Sequence, residues 1–252
     1  MTTNQAITPH NPLEGEKPEF TINLHDGSEE QVSIVVVHKD RPEYLNICLQ
    51  SIAVASFNNN YEVIVVDNNS GPESQSYLDE IEKEAKVIRM PKNAYWSAAC
   101  NRGVEAADKN SKYLIFLHHD VVILNPAWID LLINVSEAQN TGFVGVNLQS
   151  YYMQQQKVDF VEEYCLMLTR ECWKDCGPFP EELPQVGMSF MMTLKAQQAG
   201  YKPQVMRNPI VHHYRIFALD INEYEKLTEQ AMVTIPRLLR GMQSRPVNPP
   251  NA

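Results

Sequence analysis

The chain lacks the glycine patterns that mark the commonest nucleotide-binding loops. Only 10 of its 252 residues are glycine. No Gly-x-Gly-x-x-Gly follows the first apolar run, and no Gly-Lys-Ser/Thr phosphate loop occurs anywhere. A dinucleotide fold of the Rossmann type and a P-loop therefore lose the backbone turns that cradle their phosphates. Gly-x-Ser-x-Gly is missing too, which removes the nucleophile elbow of a serine hydrolase. The 5 cysteines are an odd set without zinc-like spacing: Cys172 and Cys176 lie four apart and no second pair follows. Reduced thiols of a cytoplasmic-type protein are expected. The polar opening Met1-Thr2-Thr3-Asn4-Gln5 has no apolar h-region, so no secretory signal is expected. No apolar stretch approaches a membrane span. The expectation is a cytoplasmic protein whose docking at a membrane surface stays open. Excess positive charge is also absent. The formal net charge is -10, which argues against a nucleic-acid partner while leaving room for a local basic pocket. No internal repeat is present.

What is there is alternation. Val32-Ser33-Ile34-Val35-Val36-Val37 and Tyr61-Glu62-Val63-Ile64-Val65-Val66 read as strands buried on both faces. After the first, Pro42 suits a first helical turn, and Tyr44, Leu45, Cys48, Leu49 and Ile52 fall at helical spacing. Asp67-Asn68-Asn69-Ser70-Gly71-Pro72 is a turn cluster. Lys86–Met90 is a short third strand. A helix rich in small residues opens near Asn93, able to lie close to a sheet or a ligand. Tyr113–Leu117 is the central strand. Further on, a helix at 126–132, a strand at 143–146, a loop or edge at 149–157 and a strand over 158–168 are expected. A short helix to Cys176, a helix over 188–199 closed by Gly200, a strand over 202–211 and a covering helix from about 220 to 240 complete the pattern. Strands alternating with helices on short connections imply an α/β fold with parallel crossovers.

Chemistry concentrates where the central strand ends, at His118-His119-Asp120. Open α/β sheets bind ligands just beyond such strand ends. Two imidazoles and a carboxylate there suit a metal or a phosphate-bearing ligand, or are plain polar residues at a strand end. His212-His213 follows another strand and could join them; neighbouring residues on a strand point apart, so at most one reaches. Asp67 has two readings as well: its turn alone satisfies an Asx side chain, and its place after a buried strand suits a ligand contact.

The order of these pieces resembles the family 2 glycosyltransferases of GT-A fold, over roughly residues 31–215. The carriers are Val32–Val37 with Arg41-Pro42, Val65-Val66-Asp67-Asn68-Asn69-Ser70, and Asn93 through Asn101-Arg102-Gly103. Leu117-His118-His119-Asp120 at the Asp-x-Asp position, Ala199-Gly200-Tyr201-Lys202 and His212 complete them. The resemblance implies a mixed, mainly parallel sheet flanked by helices, a nucleotide-diphosphate sugar donor, a hydroxyl acceptor such as a glycan or lipid-linked glycan, and a divalent metal. It implies Asp120 and His118 as metal ligands, with His212 completing the shell. Asp67, Arg41, Arg102, His118 and Val37 would border the nucleotide, UDP by preference. A histidine in place of the first acid tilts the metal from Mg²⁺ to Mn²⁺, which accepts imidazole more readily.

One departure bears on catalysis. The family usually carries an acid about ten residues before Gly200-Tyr201, where Val186–Leu194 has none. Glu163 and Glu162, adjacent acids interrupting an apolar run, are the leading replacements for the general base, and on a continuous strand only one would face the cleft. Glu181 and Glu182 lie upstream. A retaining reaction is another answer to the missing acid. So is an inactive binding or scaffold module. A nucleotidyltransferase is a weaker reading. The expected organisation is a polar leader at 1–30, the transferase-like domain at 31–215, a helical cover at 216–244 and a tail at 245–252.

Overall fold

The computed structural model describes residues 32–56, 59–153, 156–206, 209–216 and 219–243. The leader and tail expected at 1–30 and 245–252 lie outside them. The first half alternates as expected: β1 (Val32–His38), α1 (Pro42–Ala55), β2 (Tyr61–Asp67), α2 (Pro72–Ile81), β3 (Lys86–Arg89), α3 (Tyr95–Ala106) and β4 (Tyr113–His118). Then come β5 (Val121–Ile123), α4 (Trp128–Ala138), β6 (Phe143–Gly145), β7 (Leu148–Met153), β8 (Gln156–Val161) and β9 (Cys165–Thr169). Last are α5 (Arg170–Cys176), α6 (Met188–Gln198), β10 (Gln204–Val205), β11 (Val211–His213) and α7 (Ile221–Gln243).

The main sheet runs β10-β6-β9-β4-β1-β2-β3. Its neighbours are parallel except at β9, which is antiparallel to both β4 and β6. This is the mixed, mainly parallel sheet expected. Period-2 alternation explains the unbroken apolar runs. Ile34, Val36, Ile115 and Leu117 pack on one face with Leu45, Leu49 and Ile52 of α1. Val35, Leu114 and Phe116 pack on the other with Trp96, Ala99 and Cys100 of α3 and Met192 of α6. Both faces are shielded from water, which is why these strands are apolar at successive positions; each such side chain contributes about 1.5–3 kcal/mol by burial. A Cβ on Gly103 would collide with the Val35 side chain, so the small residues of α3 do let it lie tightly on β1.

Three expectations change in the second half. The strand expected over 158–168 is two strands, because the chain breaks at Glu162-Glu163-Tyr164 between β8 and β9. The segment at 149–157 supplies most of β7 and the start of β8, an antiparallel pair outside the main sheet. The strand expected over 202–211 is likewise divided: β10 extends the main sheet, while β11 pairs with β5. In the first and third cases a run of β-forming residues hid a change of partner. The covering helix is present as α7, whose Ala231 and Ile235 are buried against the α3–α6 side of the sheet. Among the described residues no helix is long and apolar enough to cross a membrane.

Candidate active site

The parallel pairing levels the ends of three strands. Val37 sits beside Val66 on one side and His118 on the other. Beyond these ends lies a cavity of about 490 Å³, in the range of small-molecule sites. Its lining includes Val37, His118 and Asp120, and β11 adds His213.

His118, Asp120 and His213 present ligand-type atoms all within 4.8 Å of one another. Two come from the β4 end. The third is delivered by antiparallel pairing of β11 with β5, in which His213 stands opposite Val121 and His212 opposite Val122. The Tyr214 N–H bond to the Asp120 carbonyl, at 3.0 Å, extends that ladder. The register decides between the two histidines, and the expected His212 is replaced by His213. His213 Nε2 lies 3.2 Å from Asp120 Oδ1, while His212 is exposed and packs edge-on to Tyr214.

Aromatic walls hold the imidazoles. Tyr164 stacks on His213 at 4.4 Å, and Trp96 meets His118 at 4.3 Å. Burial, reinforced by His213, lowers the His118 pKa to about 3, so this ring is neutral and its nitrogen lone pair is free for a metal. Burial acts to raise the Asp120 carboxyl. The His213 hydrogen bond, the two histidines' charges and the Ile216 N–H at 2.7 Å outweigh it and bring the carboxyl to about 2. His118 Nε2 and His213 Nδ1 are buried without a hydrogen-bond partner among the described residues. An orphaned buried polar atom costs about 1–3 kcal/mol. The nitrogens turned to Asp120 Oδ1 are the other two, His118 Nδ1 at 3.9 Å and His213 Nε2 at 3.2 Å, and two imidazoles with one carboxylate are a donor set that fits a divalent transition ion. His119 also lines the cavity but lies outside this cluster: its Nδ1 bonds the Val37 carbonyl at 3.3 Å and its ring meets His38 edge-on.

Glu162 and Glu163 both line the cavity. The expectation that only one would face it fails because alternation requires a continuous strand, and the strand has ended there. The Glu163 carboxylate accepts a hydrogen bond from Ser189. It thus stands at the first turn of α6, within the very segment that has no acid of its own. Burial raises its pKa, against the opposing Ser189 bond. Glu162 accepts from Asn147 Nδ2 and is the more committed of the two to structure.

The other nucleotide candidates do not reach the cavity. The Asp67 carboxylate is fully buried and consumed locally by the Ser70 N–H (3.1 Å), the Ser70 hydroxyl and Gln75 Nε2 (2.7 Å). Arg102 is exposed on α3 and pairs with Glu105. Arg41 is exposed, capping α1 with φ 57. In their place the cavity takes Asn68, Lys39, Tyr95 and Arg215. Asn68 and Lys39 were within reach of sequence reasoning, one residue or two from expected positions; Arg215 and Tyr95 carried no signal of their own.

The family model for glycosyl transferase family 2 matches residues 33–183. A curated relative, the O-antigen biosynthesis protein RfbC of Myxococcus xanthus, is 25% identical over 153 residues, 57% of this chain. That match spans only 12% of the relative's own length. Among solved structures, the chain is similar to the mannosyltransferase PcManGT of Pyrobaculum calidifontis in complex with GDP-Man and Mn²⁺. The TM-score is 0.64 at 12% identity, covering 91% of this chain and 68% of that one. It is similar also to GalNAc-T7 with UDP, GalNAc and Mn²⁺, with TM-score 0.63 at 15% identity, covering 81% of this chain and 48% of that one. These likenesses establish the GT-A fold.

Proposed function

The chain belongs to glycosyl transferase family 2, and from that premise we propose that it moves a sugar from a nucleotide-diphosphate donor, UDP-linked, to a hydroxyl of a glycan or lipid-linked glycan. His118, Asp120 and His213 would hold a divalent metal, Mn²⁺ in preference to Mg²⁺. The observation that carries this reading is the convergence of those three side chains in the cavity, with ligand-type atoms all within 4.8 Å of one another. A bound cation would supply Lewis-acid stabilisation of charge on the departing diphosphate. The chain's own residues do the rest. Lys39 and Arg215 line the same cavity and offer positive charge to the diphosphate. Trp96 and Tyr164 fix the two imidazoles and exclude water around them. Neighbours that hold GDP-Man or UDP together with Mn²⁺ support the donor class and the metal, and the RfbC relative's part in O-antigen biosynthesis supports a glycan acceptor.

Glu163 is the general base in this proposal. Its carboxylate would take the proton of the acceptor hydroxyl as that oxygen attacks the anomeric carbon. The raised pKa brings its basicity nearer to neutral pH, where general bases work best. Only the ionised form can accept the proton, so turnover rises with pH through the elevated Glu163 pKa. Calorimetry with UDP and GDP, in Mn²⁺, Mg²⁺ and EDTA, tests the donor site: metal-dependent binding is expected, and no binding of either nucleotide would overturn the reading. Glu163→Gln should then lower transfer by roughly 10²–10⁴-fold, flatten the acid limb of the pH profile and leave nucleotide affinity within about twofold. A variant that retains turnover would remove Glu163 from the role.

A further inference from the structure

We propose that Tyr95 is the base-recognition residue of the donor site, its ring forming a wall on which the nucleobase stacks. The inference rests on the transferase reading above and adds the residue that holds the far end of the donor.

Tyr95 is the first residue of α3 and has φ 61. This left-handed conformation is unfavourable for a bulky residue, and such strain persists only where the surroundings over-determine it. Here they do. The Asn68 side chain clamps the backbone on both sides: Nδ2 donates to the Tyr95 carbonyl at 3.1 Å, and Oδ1 accepts from the Ala94 N–H at 3.3 Å. Asn93 Oδ1 accepts from the Tyr95 N–H at 3.0 Å. The phenol donates to Glu223 Oε1 of α7 at 2.6 Å. Hydrogen bonds from three side chains therefore converge on one strained residue and its preceding peptide. The neighbouring Trp96 goes inward and is 2% exposed, whereas Tyr95 is only half-buried and lines the cavity.

The cavity's layout says what the ring meets. With a diphosphate at His118, Asp120 and His213, the donor's two ends lie on either side. One side carries Glu162, Glu163 and Ser189, carboxylates suited to hydroxyls. The other, beyond β1 and β2, carries Lys39, Asn68, Asn93 and Tyr95, amides and an aromatic ring suited to a nucleoside. Asp67, which the sequence offered for this contact, is bonded to Ser70 of its turn and Gln75 of α2. The loop from Lys39 to Arg41 brings no aromatic ring. Of the aromatic rings that line the cavity, Trp96 is 2% exposed and Tyr224 belongs to α7; Tyr95 is the residue clamped to Asn68 at the β2 end, and its Glu223 bond restrains its rotation. Stacking on an aromatic ring tolerates any base, because every base has a π-face; the amides around it are left to discriminate.

Calorimetry separates this role from a structural one. Wild type, Tyr95→Phe, Tyr95→Gly and Tyr95→Asn are titrated in Mn²⁺ with UDP, with GDP and with inorganic pyrophosphate, which has no base. Gly and Asn both accept the left-handed backbone, so two ring-less variants keep the local fold available. Both should lose roughly ten- to a hundredfold in affinity for the nucleotide the wild type binds and bind pyrophosphate as wild type does. Tyr95→Phe keeps the ring and should stay within about threefold for the nucleotide. Undiminished nucleotide binding in the ring-less variants would overturn the proposal, as would an equal loss of nucleotide and pyrophosphate. A wild type that binds neither UDP nor GDP would instead fail at the transferase reading, and this proposal would fall with it.

Discussion

Asp67 and Asp120 occupy comparable places. One closes β2, and the other stands two residues past β4, beyond His118 and His119. Both are buried, at 0% and 3% exposure. Asp67 meets donors close by in the chain, Ser70 of its own turn and Gln75 of α2. Asp120 meets donors from far along the chain, His213 and Ile216. The first carboxylate is occupied by local structure, with three donors on its two oxygens, and does not line the cavity. The second is held by tertiary structure, within a cluster of two imidazoles that lines the cavity. A carboxylate at the end of a buried strand is therefore a place and not yet a function. Donors in the adjoining turn and helix, such as Ser70 and Gln75, decide whether it is consumed before a ligand arrives.

Substitution should drive these two aspartates apart. Asp120→Ala is expected to weaken metal-dependent nucleotide binding at least a hundredfold, more than the loss usual for a residue that only supports a ligand. Asp67→Ala should leave affinity within about threefold and instead lower stability by about 1–3 kcal/mol, the cost of stranding buried donors. Urea titration and calorimetry on both variants check this, and exchanged phenotypes would break the comparison. Next in size is the pair of adjacent histidines. His213→Ala should cost about as much metal affinity as Asp120→Ala, whereas His212→Ala, exposed and outside the cluster, should stay within about twofold. Equal losses would mean that the β11–β5 register differs in solution.

The smallest expected effect is one of pH. The folded Asp120 carboxyl is held at about 2, against an ordinary value of 3.8. A depressed carboxyl contributes stability that is complete above the unfolded pKa and fades as pH falls through the folded one. The contribution is about 2 kcal/mol, lost between roughly pH 4 and pH 2. Metal-free wild type should therefore lose stability over that window relative to Asp120→Asn, in which the slope is absent. Parallel acid-unfolding curves would show that the carboxyl is not so held.

The first half of the fold was legible because its signals are local. Val32–Val37, Tyr61–Val66 and Tyr113–Leu117 are mostly apolar runs, and burial on both faces accounts for them. Pro42 and Pro72 open helices just after strand ends. The second half hid its changes of partner inside ordinary β-forming stretches, so β8 and β9 read as one strand and β10 and β11 as another. At the site, His118, Asp120 and Glu163 were visible as polar residues interrupting apolar runs. His213 was not separable from His212, because the choice lies in the register of β11 against β5, a strand far back along the chain. Arg102 and Arg41 were plausible by position and point to solvent, since a helix or loop position does not say which side faces the cleft.

By itself the sequence determined the α/β alternation, the family and the strand end at which chemistry gathers, because hydrophobic periodicity and turn residues act over a few positions at a time. Tertiary structure alone decided which histidine joins Asp120, that Glu163 stands at the acid-free start of α6, and that Tyr95 is held across the cleft by α7. Most of these depend on pairing and packing between segments distant along the chain. Their mutual position is set by the burial of whole surfaces, a quantity that no single stretch of residues encodes.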